Sequence, residues 1–112
     1  MSGNQPTPFS LHVEDRDGRV LVTVAGELDL ATAGELEAVV LPAVRDGRHA
    51  LLDLRGLEFM DSSGVRVIVA AHTAAQDSGG RLSLVRTDPG SAVQRVLEIS
   101  GLDTILDLVD AP

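Results

Sequence analysis

The side chains most able to take part in chemistry lie at positions 59–64, Phe-Met-Asp-Ser-Ser-Gly. A helix-like run that ends at Gln76 follows directly. Two hydroxyls beside a carboxylate at a helix start allow three roles: N-capping, nucleophilic catalysis or reversible phosphorylation. Asp61, Ser62 and Ser63 are all of preferred N-cap types, but one cap needs only one side chain. The residues alone therefore leave capping and phosphorylation as equal alternatives for Ser62 and Ser63.

Nucleophilic catalysis is the weakest of the three roles, because a serine nucleophile needs a base within hydrogen-bonding distance. His72 lies ten residues beyond Ser62, which is about 15 Å along a helix. His12 and His49 flank predicted strands, and nothing in the sequence brings them near Ser62. The surrounding M-D-S-S-G also differs from the G-x-S-x-G nucleophile elbow. We therefore expect a protein that is not an enzyme.

A metal or phosphate-binding site is also not predicted. Asp53, Glu58 and Asp61 straddle a predicted strand and its outgoing loop, which is not the spacing of a calcium loop. The chain has no cysteine, no H-x-x-x-H pair and no lysine to complete a phosphate loop. We therefore expect no metal and no cofactor.

Phosphorylation of Ser62, in contrast, is compatible with a helix start. A phosphate adds roughly −1.5 to −2 charges, which the helix dipole and the free N–H groups favour. Arg66 lies four residues further on, one helical turn away, where its cation can screen the phosphate. The fold would persist while the local surface changed sign, and a partner's binding would change with it.

The composition predicts one acidic domain with an aliphatic core. The chain has 112 residues, a net charge of −8 at pH 7 and 44% hydrophobic residues, which suits a single domain. Phe9 and Phe59 are its only aromatic residues, so bases find no stacking platform, and the acidic charge repels phosphate backbones. We expect no direct nucleic-acid partner and favour a basic protein surface.

The sequence also predicts a cytoplasmic protein without membrane contact. The opening residues, "MSGNQPTPFS", have no positive or apolar region of a signal peptide. No stretch approaches the roughly 18–20 apolar residues that a membrane span requires. The absence of cysteine suits a reducing compartment.

The first half of the chain predicts a hairpin and a helix. Alternating apolar residues on either side of Asp17-Gly18 indicate two strands joined by a tight turn. Residues 26–31 are expected to form a loop before the helix. Thr32 and Glu35 have the spacing of a capping box for that helix.

The second half alternates strands and helices. Residues 50–54 suit a short buried strand, and residues 62–76 suit a largely enclosed helix. That helix is expected to bury the stripe Val65, Ile68, Val69 and His72. A strand "RLSLV" follows, then a helix with Asp88 as cap, Pro89 in its first turn and Gly101 beyond its end.

The resulting order, β-β-α-β-α-β-α with a short C-terminal strand or turn, predicts an α/β fold with a mixed sheet. "GELDLATA" at 26–33 and "LEFMDSSGVRVIVAA" at 57–71 resemble the STAS domains of bacterial anti-sigma factor antagonists. "DPGSAVQRVLEISGL" at 88–102 is similar to that family's third helix. The resemblance implies a single STAS domain at residues 9–108, between a flexible tail at 1–8 and a C-terminal tail at 109–112.

The resemblance also implies a switch. The unphosphorylated protein would bind an anti-sigma factor, a serine kinase with the histidine-kinase-type ATPase fold, and so release the sigma factor for transcription. The kinase would phosphorylate Ser62 and dissociate, and a PP2C-type phosphatase would restore binding. The implied partner-binding residues are Gly26, Glu27, Asp29, Asp61, Ser62, Ser63, Gly64 and Arg66.

One position departs from the family's pattern. The better-known antagonists often read D-S-[ST]-G-L-G-V, whereas this chain continues Gly64-Val65-Arg66-Val67. An arginine in place of the second glycine can shape partner choice by steric exclusion or by pairing with an acidic residue. Together with Ala70, Ala71 and Ala74 it also leaves an alternative: a STAS scaffold that is never phosphorylated and assembles with like domains.

Overall fold

In the computed structural model, which describes residues 7–112, five strands and four helices build one layered unit. The elements are β1 (Ser10–Arg16), β2 (Arg19–Leu28), α1 (Ala33–Arg45), β3 (His49–Met60), α2 (Ser62–Ser78), β4 (Arg81–Val85), α3 (Ala92–Ser100), α4 (Leu102–Ile105) and β5 (Asp107–Val109). The sheet order is β1-β2-β3-β4-β5. β1 is antiparallel to β2, and all other neighbours are parallel. The predicted α/β class, mixed sheet and element order are confirmed, with α4 as an addition.

The ends of the chain only partly overlap the predicted tails. Most of the predicted N-terminal tail, residues 1–6, lies outside the described residues. Thr7 bonds to Glu58, through its N–H at 3.0 Å and its hydroxyl at 3.1 Å. At the other end, Val109 belongs to β5 and accepts a hydrogen bond from the Arg86 N–H. The strand thus reaches one residue into the segment predicted as a C-terminal tail.

The hairpin follows from its turn residues. Asp17 and Gly18 both have positive φ, 55° and 81°, so the two-residue turn has the sense that matches the twist of its strands. The register runs from Ser10 opposite Ala25 to Arg16 opposite Arg19. The predicted hairpin is confirmed.

Alternation along the strands divides the apolar residues between two faces of the sheet. One face, with Val22, Leu52 and Leu84, packs against residues of all four helices in the main core. The opposite face carries a smaller cluster of Leu21, Leu51 and Val85. The helices therefore lie on one side, and β2, β3 and α2 are all held by the main core.

The strand predicted at residues 50–54 is much longer, because its second half pairs with the end of β2. Residues 56–60 continue the parallel ladder, with one shift in register before Gly56 and a second between Leu57 and Phe59, and the pairing ends with Leu28 opposite Met60. Gly26 to Leu28 are therefore strand and not loop, which corrects the prediction. Gly26 has φ +93°, and a Cβ on it would lie 2.7 Å from the Cα of Phe9. Only glycine fits this position.

Two helix starts differ from the prediction. The capping box at Thr32 and Glu35 is wrong: Thr32 precedes α1 but makes no side-chain cap bond. Its hydroxyl instead donates to the Glu27 carbonyl at 2.9 Å. α3 begins at Ala92, with Ser91 as its cap in place of Asp88. The Ser91 hydroxyl accepts the Gln94 N–H at 3.0 Å.

Helix α2 buries only part of the predicted stripe: Ile68 is buried, but its neighbours on the buried face are mostly others. Its buried residues are Gly64, Val67, Ile68, Ala71 and Ala75. Val69, predicted to be buried, is 41% exposed. Small side chains let α2 approach its neighbours closely, so packing distance and not hydrophobicity alone sets the buried face. None of the helices described between residues 7 and 112 has the length and apolarity needed to cross a membrane.

Candidate functional site

The polar residues of the "FMDSSG" motif lie where β3 passes directly into α2. Asp61 alone separates the two elements and is the N-cap of α2: its carboxylate accepts the Ser63 N–H at 2.8 Å. The Asp61 N–H in turn donates to the Leu28 carbonyl at 3.2 Å, which ties the helix start to the end of β2. The cap is therefore an aspartate, and no serine hydroxyl is needed for it.

Ser62 is left free by this arrangement. It is the first residue of α2 and is exposed, whereas Ser63 is half-buried. Within residues 7–112, the Ser62 hydroxyl takes part in no hydrogen bond, to a histidine or to any other group. Ser62 thus offers an accessible hydroxyl at the positive end of a helix dipole, where added negative charge is favoured.

Gly64 lets the helix start press against the sheet. A Cβ at this buried residue would lie 2.6 Å from the Met60 Cγ and 2.8 Å from the Leu28 Cδ2. Real Cβ contacts are essentially never so short, so a side chain here would force Met60, Leu28 or the start of α2 to shift. Gly64 is required by packing and sets the position of Ser62.

The loop after β2 is organised by Asp29. The Asp29 carboxylate accepts the N–H groups of Ala31 at 3.0 Å and Thr32 at 3.2 Å. The Asp29 N–H donates to the Thr32 hydroxyl at 3.0 Å. These bonds leave the Leu30 side chain 82% exposed at the loop tip. Asp29 therefore shapes the loop in addition to any contact it makes with a partner.

The structure brings most of the predicted partner-binding residues to one end of the molecule. The pairing of Leu28 with Met60 sets the 26–29 segment beside the start of α2. Glu27 is exposed, but Gly26 is buried against Phe9 and presents no surface. Arg66 is exposed and takes part in no ion pair within residues 7–112.

An apolar groove beside Ser62 was not anticipated from the sequence. It has a volume of about 280 Å³ and lies between the start of α2 and α3. Its lining residues are Met60, Asp61, Ser62, Val65, Val96, Ile99 and Ser100. A signal existed: α3 buries Val93 and Leu97 on one stripe, and Ile99 is an apolar residue off that stripe.

The acids considered for a metal site are engaged elsewhere. The Asp53 carboxylate accepts both the Nε and Nη2 of Arg55, at 2.9 and 2.8 Å. These bonds lower the pKa of Asp53 against the opposing effect of burial. Glu58 bonds to Thr7, and Asp61 caps α2. Residues 7–112 contain no group of three or more His, Cys, Asp or Glu placed to hold a metal ion.

A second serine cluster lies on the sheet face opposite the helices. The Ser83 hydroxyl donates to the Asp107 carboxylate at 2.5 Å and is 2.7 Å from the His49 Nε2. Burial, reinforced by the charges of Arg81 and Arg19, lowers the pKa of His49. The bond from Ser83 is the main reason that the pKa of Asp107 is lowered. Ser83 is fully buried, so this cluster joins β3, β4 and β5 and offers no accessible nucleophile.

Comparisons with known proteins agree along nearly the whole chain. The family model described as "Mlab, STAS domain" matches residues 11–110. An anti-sigma F factor antagonist from Paenibacillus polymyxa is 32% identical over 104 residues, covering 91% of this chain and 87% of that protein. A solved anti-sigma factor antagonist from Mycobacterium paratuberculosis has a TM-score of 0.78 and 30% identity, covering 93% of this chain and 87% of the other.

A further solved structure is chemically informative. The Bacillus cell fate determinant SpoIIAA in its phosphorylated form has a TM-score of 0.67 and 25% identity to this chain. The match covers 91% of each chain. The fold described here is thus similar to that of a protein that carries a phosphate.

Proposed function

The chain belongs to the STAS domain family, and we propose that it is an anti-sigma factor antagonist controlled by phosphorylation of Ser62. Unphosphorylated, it binds an anti-sigma factor, a serine kinase with the histidine-kinase-type ATPase fold, and releases the sigma factor. Phosphorylation of Ser62 by that kinase ends the complex. A PP2C-type phosphatase removes the phosphate and restores binding.

The observation that carries the proposal is the free hydroxyl of Ser62. Asp61 fills the cap of α2, so the Ser62 side chain has no role within residues 7–112 that a phosphate would disturb. The helix dipole favours the added charge. Modification at this residue therefore changes the surface and leaves the fold intact.

The relatives support the same reading. The P. polymyxa protein is named an anti-sigma F factor antagonist, and SpoIIAA has been solved in a phosphorylated form. We place the protein in the cytoplasm, where a chain without cysteine is suited to a reducing medium.

The proposed docking face consists of the exposed and half-exposed polar residues around Ser62. Its members are Glu27, Asp29, Asp61, Ser62, Ser63 and Arg66. Gly26 and Gly64 contribute by shaping the backbone under this face, because both are buried. Arg66 is its free cation within residues 7–112, and an acidic residue of the partner opposite Arg66 would favour the correct kinase over others.

One argument for the scaffold alternative is weaker in this arrangement. It rested on small residues of α2 that could pack against a second copy. Ala71 is fully buried, and Ala70 and Ala74 pack against the main core. Their small size is explained within the domain.

Mass spectrometry after incubation with ATP and an ATPase-type anti-sigma kinase tests the proposal. We expect one phosphate on the parent protein and on Ser63→Ala, and none on Ser62→Ala. Ser63→Ala is the matched control, since it removes the neighbouring hydroxyl and keeps the cap at Asp61. Equal phosphorylation of Ser62→Ala would exclude Ser62 as the site, and an unmodified parent would exclude the kinase mechanism.

A further inference from the structure

The apolar groove beside Ser62 is built in layers. Met60, which is 2% exposed, forms its floor, and Val65 and Val96 form walls that are partly buried against the main core. Ile99 stands at the rim and is 80% exposed. Ser62 is part of the same lining.

The exposure of Ile99 has no explanation in the fold. α3 is held to the core by Val93 and Leu97, each 1% exposed, on another stripe of the helix. Leu30 and Ile99 are the two most exposed large apolar side chains described in residues 7–112, and Leu30 follows the strand end bonded to Asp61. An exposed apolar side chain at the rim of an apolar groove, beside a polar functional group, is typical of an interaction surface.

We propose that this groove receives an aliphatic side chain of the anti-sigma factor, with Ile99 as the anchoring contact. The inference rests on the proposed function. The groove and Ser62 share their lining, so a partner that covers one covers the other. Among the described residues, the only charged side chain in the lining is Asp61, whose carboxylate already accepts the Ser63 N–H. Between Val65, Val96 and Ile99 a charged or polar partner group would find no hydrogen-bonding partner, whereas an aliphatic one would bury apolar area against them.

The groove also gives the phosphate a physical mode of action. A phosphate on Ser62 would carry roughly two negative charges at the edge of a space that the partner fills with apolar atoms. Closing the interface would then remove water from the groove side of the phosphate, where apolar atoms cannot replace it, which is strongly unfavourable. Ser62 would thus control the adjacent apolar contact as well as the charge of the docking face.

The isoleucines of the chain allow a direct test by NMR. There are three, at 68, 99 and 105. Ile68 is fully buried in the core, and Ile105 is 54% exposed beside His72 and Asp107, near the other end of α2. In a titration of methyl-labelled, unphosphorylated full chain with an ATPase-type anti-sigma kinase, we expect the largest shift at the Ile99 methyl. A saturated complex in which Ile99 moves no more than Ile105 would overturn the inference.

Two matched variants complete the test by calorimetry. Because both isoleucines are exposed, Ile99→Ser and Ile105→Ser should both keep the parental fold. We expect Ile99→Ser to weaken kinase binding about tenfold or more and Ile105→Ser less than about twofold. Parental binding by Ile99→Ser, or equal losses in both variants, would overturn the groove contact and leave the proposed function intact. A parent protein that does not bind the kinase would overturn both.

Discussion

Ser62 and Ser83 are two serines with opposite environments in the same small domain. Ser83 has a histidine and an aspartate within hydrogen-bonding distance, but it is fully buried and its bonds join neighbouring strands. Ser62 is exposed and bonded to nothing within residues 7–112. The residue types of a catalytic triad therefore serve stability at Ser83. The serine with no base beside it is the one that is accessible for modification.

The difference comes from where each serine lies in the fold. Ser83 lies within a central strand, where its side chain must satisfy the polar groups around it. Ser62 follows Asp61, which takes the capping role that Ser91 performs for α3. A helix that is already capped can carry a spare hydroxyl in its first turn.

The largest expected effect is the loss of partner binding when a charge is fixed at Ser62. Ser62→Asp should weaken binding of the kinase about 30-fold or more, because closing the interface would take water from a second carboxylate beside that of Asp61. Ser91→Asp is the control: aspartate is as good an N-cap as serine, and α3 keeps its start. Calorimetry would measure both, and parental affinity in Ser62→Asp would contradict charge rejection.

The next effect concerns the glycine that sets the position of Ser62. Gly64→Ala should lower the free energy of unfolding by about 1–3 kcal/mol, since its Cβ would collide with Met60 and Leu28. Gly34→Ala, in the first turn of α1, meets nothing within 4 Å and should raise it by about 0.4–1 kcal/mol. Urea unfolding would measure both changes. Equal effects of the two substitutions would refute the close approach at α2.

Alanine substitutions at Ser83 and Ser62 should have smaller effects on folding stability, and unequal ones. Ser83→Ala removes one bond to Asp107 and one to His49, and should cost about 1 kcal/mol of folding stability. Ser62→Ala should change stability by less than about 0.5 kcal/mol, because the hydroxyl makes no bond within residues 7–112. Thermal unfolding of the two variants would show which one loses more folding stability. A costlier Ser62→Ala would mean that Ser62 is part of the cap.

The smallest effect is a pH dependence carried by His49. Its pKa is lowered below 6.5 in the folded protein, so the unfolded chain binds more protons as the pH falls below about 6.5. The free energy of unfolding should therefore decrease between pH 7 and pH 5, and the carboxylates of Asp53 and Asp107 should add a further loss below about pH 3.8. His49→Gln should flatten the first decrease, whereas His12→Gln, on the exposed edge strand, should keep it. An unchanged slope in His49→Gln would exclude His49 as its source.

Local signals predicted much of this fold. The turn at Asp17-Gly18 depends on two residues that tolerate positive φ, and Gly101 ends α3 in the same way. Features that depend on distant partners were missed. The second half of β3 becomes a strand only because Ala25 to Leu28 pair with it, and no local pattern in residues 56–60 shows this.

In the candidate site, too, local features were predicted and contacts between distant segments were missed. The position of Ser62 at a helix start was readable from its neighbours, and Asp61 was one of the predicted caps. The groove was not readable, because it forms where α3 passes the start of α2, far apart in sequence. The contact of Gly64 with Leu28 likewise depends on the pairing of strands that the sequence leaves open.

The direct passage from β3 into α2 has a kinetic consequence. With only Asp61 between them, and its N–H bonded to Leu28, the backbone at Ser62 is ordered by folding itself. A partner that docks here would order no loop, so the complex would lose no affinity to the entropy of loop ordering. Association would then resemble the meeting of two rigid bodies. Under the proposed function, adding or removing a phosphate would then alter the lifetime of the complex without any refolding step. The speed of such a switch would be limited by the enzymes that act on Ser62 and not by this domain.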